Sequence, residues 1–232
     1  LLRVKVSDAI YLVGLGALVT IKKGESWGEP GELELAGEVV SSDSELAAVL
    51  QKYREAQQVP PVVGLLAGSL HRTFGSPQRD ESLLRSGQGY LFPIDVGVLG
   101  YQDAHGKPRE VVFVAHLAAF ADPRLRLWRR RTVIAMNAAF LGELNLGPRA
   151  HPNDGRLDVT DGQLNLSQRR QAVRRAVVGT HVPHPDLLQS RVSSRVEIFG
   201  DSEFALCADG VPVGASKDFW IECLPDAARI LV

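Results

Sequence analysis

The sequence predicts two lobes, an α/β N-terminal lobe followed by a mainly antiparallel β-sandwich lobe. Three observations carry that reading. A capped amphipathic helix lies just ahead of a short buried-type strand in the first third of the chain. From about Leu91 onward, short β-type runs recur between turn signals. The 232 residues are 45% hydrophobic, enough for a sizeable core.

Near the start, Val4 and Val6 alternate with Arg3, Lys5 and Ser7 at the period of a half-buried strand, and Tyr11 to Ile21 continues in β-prone residues. Gly24 to Gly31, with Trp27 and Pro30, reads as a loop. Ser42-Asp43-Ser44-Glu45 is a capping box, and Leu46, Val49, Leu50 and Tyr53 form the apolar stripe of a helix from Ser44 to Gln57. Pro60-Pro61 stops that helix and launches the strand Val62 to Leu66. Leu70 to Thr73 reads as a brief helix ended by Gly75 and Pro77.

Ser86-Gly87-Gln88-Gly89 has a linker composition and divides residues 1–92 from residues 93–232. Strands are expected at Leu91–Leu99, Glu110–Phe120, Thr132–Asn137, Arg156–Val159, Arg195–Phe199, Phe204–Cys207 and Phe219–Leu224. One helix, Ser167 to Val177, interrupts them. It sets Ala172, Val173, Ala176 and Val177 against four arginines.

A net charge of -1 argues against nucleic acid as a partner. Cys207 and Cys223 have no ligand spacing, and Leu1-Leu2-Arg3 leads into no cleavage pattern, so a reduced, cytoplasmic setting is expected. The apolar stretch Ala9 to Ile21 is too short to span a bilayer as a helix. Arg124, Arg126, Arg129, Arg130 and Arg131 surround Leu125, Leu127 and Trp128, a mixture suited to an anionic membrane surface or to a solvated turn. His151, His181 and His184 could converge on a transition metal or simply belong to rigid loops. No Gly-x-Ser-x-Gly nucleophile elbow occurs.

The densest motif runs from Met136-Asn137 through Gly142, Pro148 and Ala150 to Asp154-Gly155-Arg156-Leu157-Asp158-Val159. Ala208-Asp209-Gly210 then places a second Asp-Gly pair between β runs. With Pro93-Ile94-Asp95-Val96-Gly97 and Gly179-Thr180-His181, these elements resemble the diacylglycerol kinase family of lipid kinases, over roughly Pro61 to Val232. The resemblance implies a diacylglycerol kinase/NAD kinase-like fold whose last strands return to the first lobe.

It further implies magnesium held by Asp154, with His151 three residues before it and the carbonyl of Arg156 two after it. It implies ATP, and Asp209 as the base that takes a proton from a lipid hydroxyl. Each role has a plain alternative, because Asp-Gly is also an ordinary turn pair.

The chain departs from the family pattern at several of these places. His151 replaces an oxygen ligand, and Val211 stands where a Glu usually accompanies the base. The Gly-Gly-Asp-Gly-Thr turn that cradles ATP does not occur. The later Pro-x-Gly-Thr-x-Asn-Asp loop survives as Gly64 to Thr73, with Gly68-Ser69 replacing Asn-Asp and Arg72-Thr73 retained. Gly64, Gly68, Ser69 and Arg72 remain candidates for binding a phosphate, against the alternative of a simple strand-to-helix turn. Two readings follow: ATP-dependent phosphoryl transfer to a lipid hydroxyl, or a degenerate relative that binds a lipid, nucleotide or protein without turnover. The setting would be cytoplasmic and peripheral to a membrane, and a homodimer is compatible with the sequence.

Overall fold

A computed structural model describes residues 27–75, 80–122, 124 and 126–232. The strands expected at Val4–Ser7 and Tyr11–Ile21 lie outside those residues. The first strands are β1 (Glu29–Gly31) and β2 (Val39–Val40), followed by helix α1 (Asp43–Glu55) and β3 (Val63–Leu65). Helices α2 (Ser69–Thr73) and α3 (Glu81–Arg85) lead into the 14-residue β4 (Gly89–Gln102). There follow β5 (Pro108–Phe113), β6 (His116–Phe120), β7 (Thr132–Met136) and the small hairpin β8 (Phe140–Leu141) and β9 (Leu144–Asn145). Strand β10 (Leu157–Gly162), helix α4 (Leu166–Ala176), β11 (Leu187–Val192), β12 (Val196–Ala208) and β13 (Val211–Leu231) complete the chain.

Apart from the β8–β9 hairpin, the described strands join one 11-stranded sheet with the path β1-β4-β13-β12-β6-β7-β10-β11. Its pairs are antiparallel except β2 with β3 and β3 with β13. Leu99, Phe113, Leu117, Val133, Leu157, Val192, Phe204 and Phe219 belong to one buried cluster. Strands from both ends of the path therefore line the same core, and the sheet folds over itself as a sandwich. A second cluster packs Leu46, Val49 and Leu50 of α1 on Val63, Leu65, Ile94 and Ile230. Ile230 and Leu231 pair in parallel with Val63 and Gly64, so the last strand ties the α/β unit to the sandwich.

The helix cap behaves largely as its residues dictate. Ser42 Oγ accepts from Glu45 N at 3.2 Å, while the Glu45 carboxylate reaches back one residue further, to Ser41 N at 2.7 Å. Helix α1 starts at Asp43 and ends at Glu55, inside the expected end, because Gln57 adopts φ 54.

Several expectations need correction. Glu29–Gly31 is a strand paired with Leu91–Gly89 rather than loop. The run Glu110–Phe120 is broken at Val114-Ala115, whose amides turn toward a side-chain carboxylate from elsewhere in the chain. Arg195–Phe199 and Phe204–Cys207 are one strand, irregular between Phe199 and Phe204. Trp128 is not a surface anchor. It is fully buried, with Leu164, Ala172 and Ala176 around it.

Candidate functional site

Asp209 sits at the tip of the β12–β13 hairpin with φ 47, followed by Gly210 with φ 80. That is the left-handed pair an Asp-Gly hairpin requires. The turn aims its carboxylate inward. Oδ1 accepts from Ala115 N and His116 N, each at 2.9 Å, and Oδ2 from Val114 N at 2.8 Å. Burial raises its pKa from 3.8 to about 7; the three amides pull the other way, and Asp43 nearby adds to the rise.

Asp43, which in sequence reads only as part of a helix cap, has a second role. Its side chain crosses to α2 and accepts from Ser69 N at 2.5 Å and Leu70 N at 3.0 Å. Burial raises its pKa against those hydrogen bonds. Asp43 lies in Ser41-Ser42-Asp43-Ser44-Glu45, the turn leading from β2 into α1 beside the parallel strand β3. In sequence the only sign of this role is an Asp placed just after the apolar pair Val39-Val40, among serines that also fit a capping pattern.

These groups share one cavity of ≈ 340 Å³, lined by Ser42, Asp43, Ser44, Gly68, Ser69, Arg72 and Asp209, with Gly142 and Glu143 of the β8–β9 hairpin on its rim. Sequence-predicted Gly68, Ser69, Arg72 and Asp209 are thus brought together. Gly64 lies within β3, where an added Cβ would press on Leu84, Leu33 and Val39, so it serves close packing. Gly68 has φ 117, and a Cβ there would collide with the Asp43 carboxylate.

The α2 amides and part of the Arg72 guanidinium are already engaged. The first amides of α2 go to Asp43. Arg72 lies over the Phe140 ring at 4.2 Å, donates to Gly142 O at 2.8 Å and faces Glu143 at 3.4 Å. One arginine therefore stands beside three carboxylates, from Asp43, Glu143 and Asp209.

The motif around Asp154 forms a separate cluster. Asp154 Oδ2 pairs with Arg191, whose Nε also donates to Asp158 Oδ1 at 2.9 Å across the β10–β11 pair. His151 packs against Trp27 at 4.4 Å between ring centres, and its Nδ1 accepts from Asn153 N at 3.2 Å. Burial lowers its pKa, with Asp154 opposing. Arg156 follows on the exposed side of the turn. Asp95 closes the cluster by accepting from Gly155 N at 2.6 Å and Asp226 N at 3.0 Å, and burial raises its pKa to about 6.

This donor set does not fit magnesium well. A hard cation wants several oxygens. Here Asp154 Oδ1 is the one carboxylate oxygen of that residue left without a hydrogen-bond partner, the other faces a guanidinium, and the flanking ligand is an imidazole engaged with backbone. Among the described residues no group of three His, Cys, Asp or Glu side chains is disposed to hold a metal ion. His181 instead packs on Trp128 at 5.6 Å, with burial lowering its pKa to about 4, while His184 accepts from Asp186 N.

Beyond Ser44 the cavity adjoins a larger groove of ≈ 670 Å³, where Ala47 and Ala48 of α1 face Val111, Val112, Ala208 and Val213. Among the described residues no helix is long and apolar enough to cross a membrane.

The described residues thus form a parallel α/β unit stitched by its last strand to an antiparallel sandwich, with carboxylates meeting at the seam. The family profile of the YegS C-terminal NAD kinase beta sandwich-like domain matches residues 114–232, just over half of the chain. The chain belongs to that family. Among solved structures it is similar to a protein from Bacillus anthracis str. Sterne assigned as a diacylglycerol kinase, with TM-score 0.59 and 13% identity over 83% of this chain and 76% of that one. A second such structure from the same organism gives TM-score 0.54 and 14% identity over 74% and 69%. No protein of curated function matches the sequence significantly. The diacylglycerol kinase-like family and its fold, read from the Asp-Gly motifs, therefore hold.

Proposed function

We propose that this chain is a lipid-binding member of the diacylglycerol kinase-like family that does not use ATP. The observation that carries the reading is the Asp43 carboxylate on the amides of Ser69 and Leu70. A triphosphate must exchange its water for backbone N–H donors and cations. At this cavity an internal anion already holds the α2 amides, Ser42 and Ser44 add side chains to the lining, and Glu143 offsets Arg72. One side of the groove beside Ser44, formed by Ala47, Ala48, Val111, Val112, Ala208 and Val213, suits the chain of a lipid whose hydroxyl end reaches toward Asp209, while Gln51, Glu55, Arg109 and Glu110 make the rest of the lining polar.

One observation favours phosphoryl transfer as a second reading. Asp209, with a pKa of about 7, is tuned to the range of a general base at neutral pH. Isothermal calorimetry with ATP and magnesium separates the two. No saturable heat at millimolar ATP, together with saturable binding of a monoacylglycerol, is the expected result. Saturable ATP binding at micromolar concentration would restore the kinase reading. In that case Asp209→Asn should abolish lipid phosphorylation while leaving ATP binding intact.

A further inference from the structure

We propose that the arginine-bearing turn before β7 and the outer face of α4 together form a docking surface for an anionic lipid bilayer. This goes beyond the cleft and does not depend on what the cleft binds. Two segments distant in sequence are held side by side. Leu164 N donates to Trp128 O at 2.9 Å, and Trp128 is buried with Ala172 and Ala176, the inner face of α4. The outer face and the turn then expose their cations together. Arg124, Arg126, Arg129 and Arg169 line one cavity of ≈ 510 Å³, and Arg170 and Arg174 line a neighbouring one that shares Leu166.

Among the described residues no carboxylate lines either cavity. Residues 163–178 contain no Asp or Glu. Among the described residues only Arg129 of this group meets a carboxylate, Asp122 at 3.6 Å. The protein as a whole carries a net charge of -1, so this face is a local excess of cations rather than part of a basic molecule.

The residues interleaved with those cations select the partner. Leu166 is 56% exposed, Val177 57% and Val178 69%, leaving aliphatic side chains standing out among guanidinium groups. Buried apolar area plus attraction to anionic headgroups is what holds a protein at a membrane interface. A single-stranded nucleic acid would call for exposed aromatic rings to stack on its bases, and the tryptophan of this turn is buried.

The test is co-sedimentation with vesicles of phosphatidylcholine alone and of phosphatidylserine and phosphatidylcholine at roughly one to three. ATP and monoacylglycerol are left out, so failure of the cleft reading cannot mimic failure of this one. The wild-type protein should bind only the phosphatidylserine vesicles and lose binding steeply as salt rises. The quadruple variant Arg124→Glu, Arg126→Glu, Arg170→Glu and Arg174→Glu changes exposed side chains only. It should weaken vesicle binding by on the order of a hundredfold or more. Leu166→Ser should weaken it severalfold and serves if the quadruple variant does not keep the wild-type melting temperature. Absence of wild-type binding, or unchanged binding by the folded variants, would overturn the proposal. Tighter retention of a polyuridine oligonucleotide than of the vesicles would overturn it in favour of a nucleic-acid surface.

Discussion

Replacing Asp209 by Asn removes one proton-binding site from the centre of the fold and makes the electrostatics of the cleft measurable. The folded pKa of Asp209 is about 7 against an ordinary 3.8, with burial the main cause. The folded state therefore holds its proton more tightly than the unfolded chain. The contribution to stability is greatest below the unfolded value and is lost as pH rises through about 7. At 1.36 kcal/mol per pH unit the full loss is about 4 kcal/mol, of which about 2 kcal/mol falls between about pH 5 and pH 7 and about 3 kcal/mol between about pH 5 and pH 8.

Asparagine has no such titration but pairs less well. Its oxygen can keep the amides of Ala115 and His116, while its NH2 group would face the Val114 N–H, donor against donor. Leaving that buried amide unpaired costs about 1–3 kcal/mol at every pH. Urea denaturation of both proteins from about pH 5 to about pH 8 isolates Asp209, because Asp95, Asp43 and His116 titrate in both. The variant should be less stable than wild type at the acid end, and the gap should close by about 3 kcal/mol toward the alkaline end. A gap that stays constant across the range would refute the account of a buried, proton-holding carboxylate.

Two further outcomes follow from the same geometry. Arg191→Ala strips the shared counter-ion from Asp154 and Asp158. Since the guanidinium is partly exposed, it should cost only about 1 kcal/mol in thermal denaturation. It should also create a stabilisation by magnesium that the wild type lacks, whereas equal stabilisation of both proteins would show that Arg191 does not stand in for a cation. Gly68→Ala must hold a side chain at φ 117 against the Asp43 carboxylate. It should lower stability by about 2 kcal/mol through strain and loss of the α2 cap, read as a shift in the urea midpoint. An unshifted midpoint would mean that Asp43 moves aside freely and that the α2 amides are open to a phosphate.

Features that depend on a few neighbouring residues were legible in the sequence. Ser42 caps α1 because its hydroxyl is within reach of the Glu45 amide, and Asp209-Gly210 turns a hairpin because the pair tolerates positive φ. The apolar stripe of Leu46, Val49 and Leu50 faces a core because helical periodicity leaves no other face apolar. The same motifs sufficed to find the family, and Gly68, Ser69, Arg72 and Asp209 do line one cavity.

What tertiary structure alone decided are contacts between residues that chain order keeps far apart. The β run Glu110–Phe120 looks continuous until Asp209, 93 to 95 positions later, takes its amides at Val114, Ala115 and His116. Asp43 reads as a capping residue until α2, 26 positions on, presents its N–H groups. His151 looks like a ligand until Trp27 covers its ring, and Trp128 looks like a membrane anchor until α4 closes over it. In each case the local residues permit two outcomes. A buried polar group must find its partner wherever the fold brings one, and that requirement selects between them.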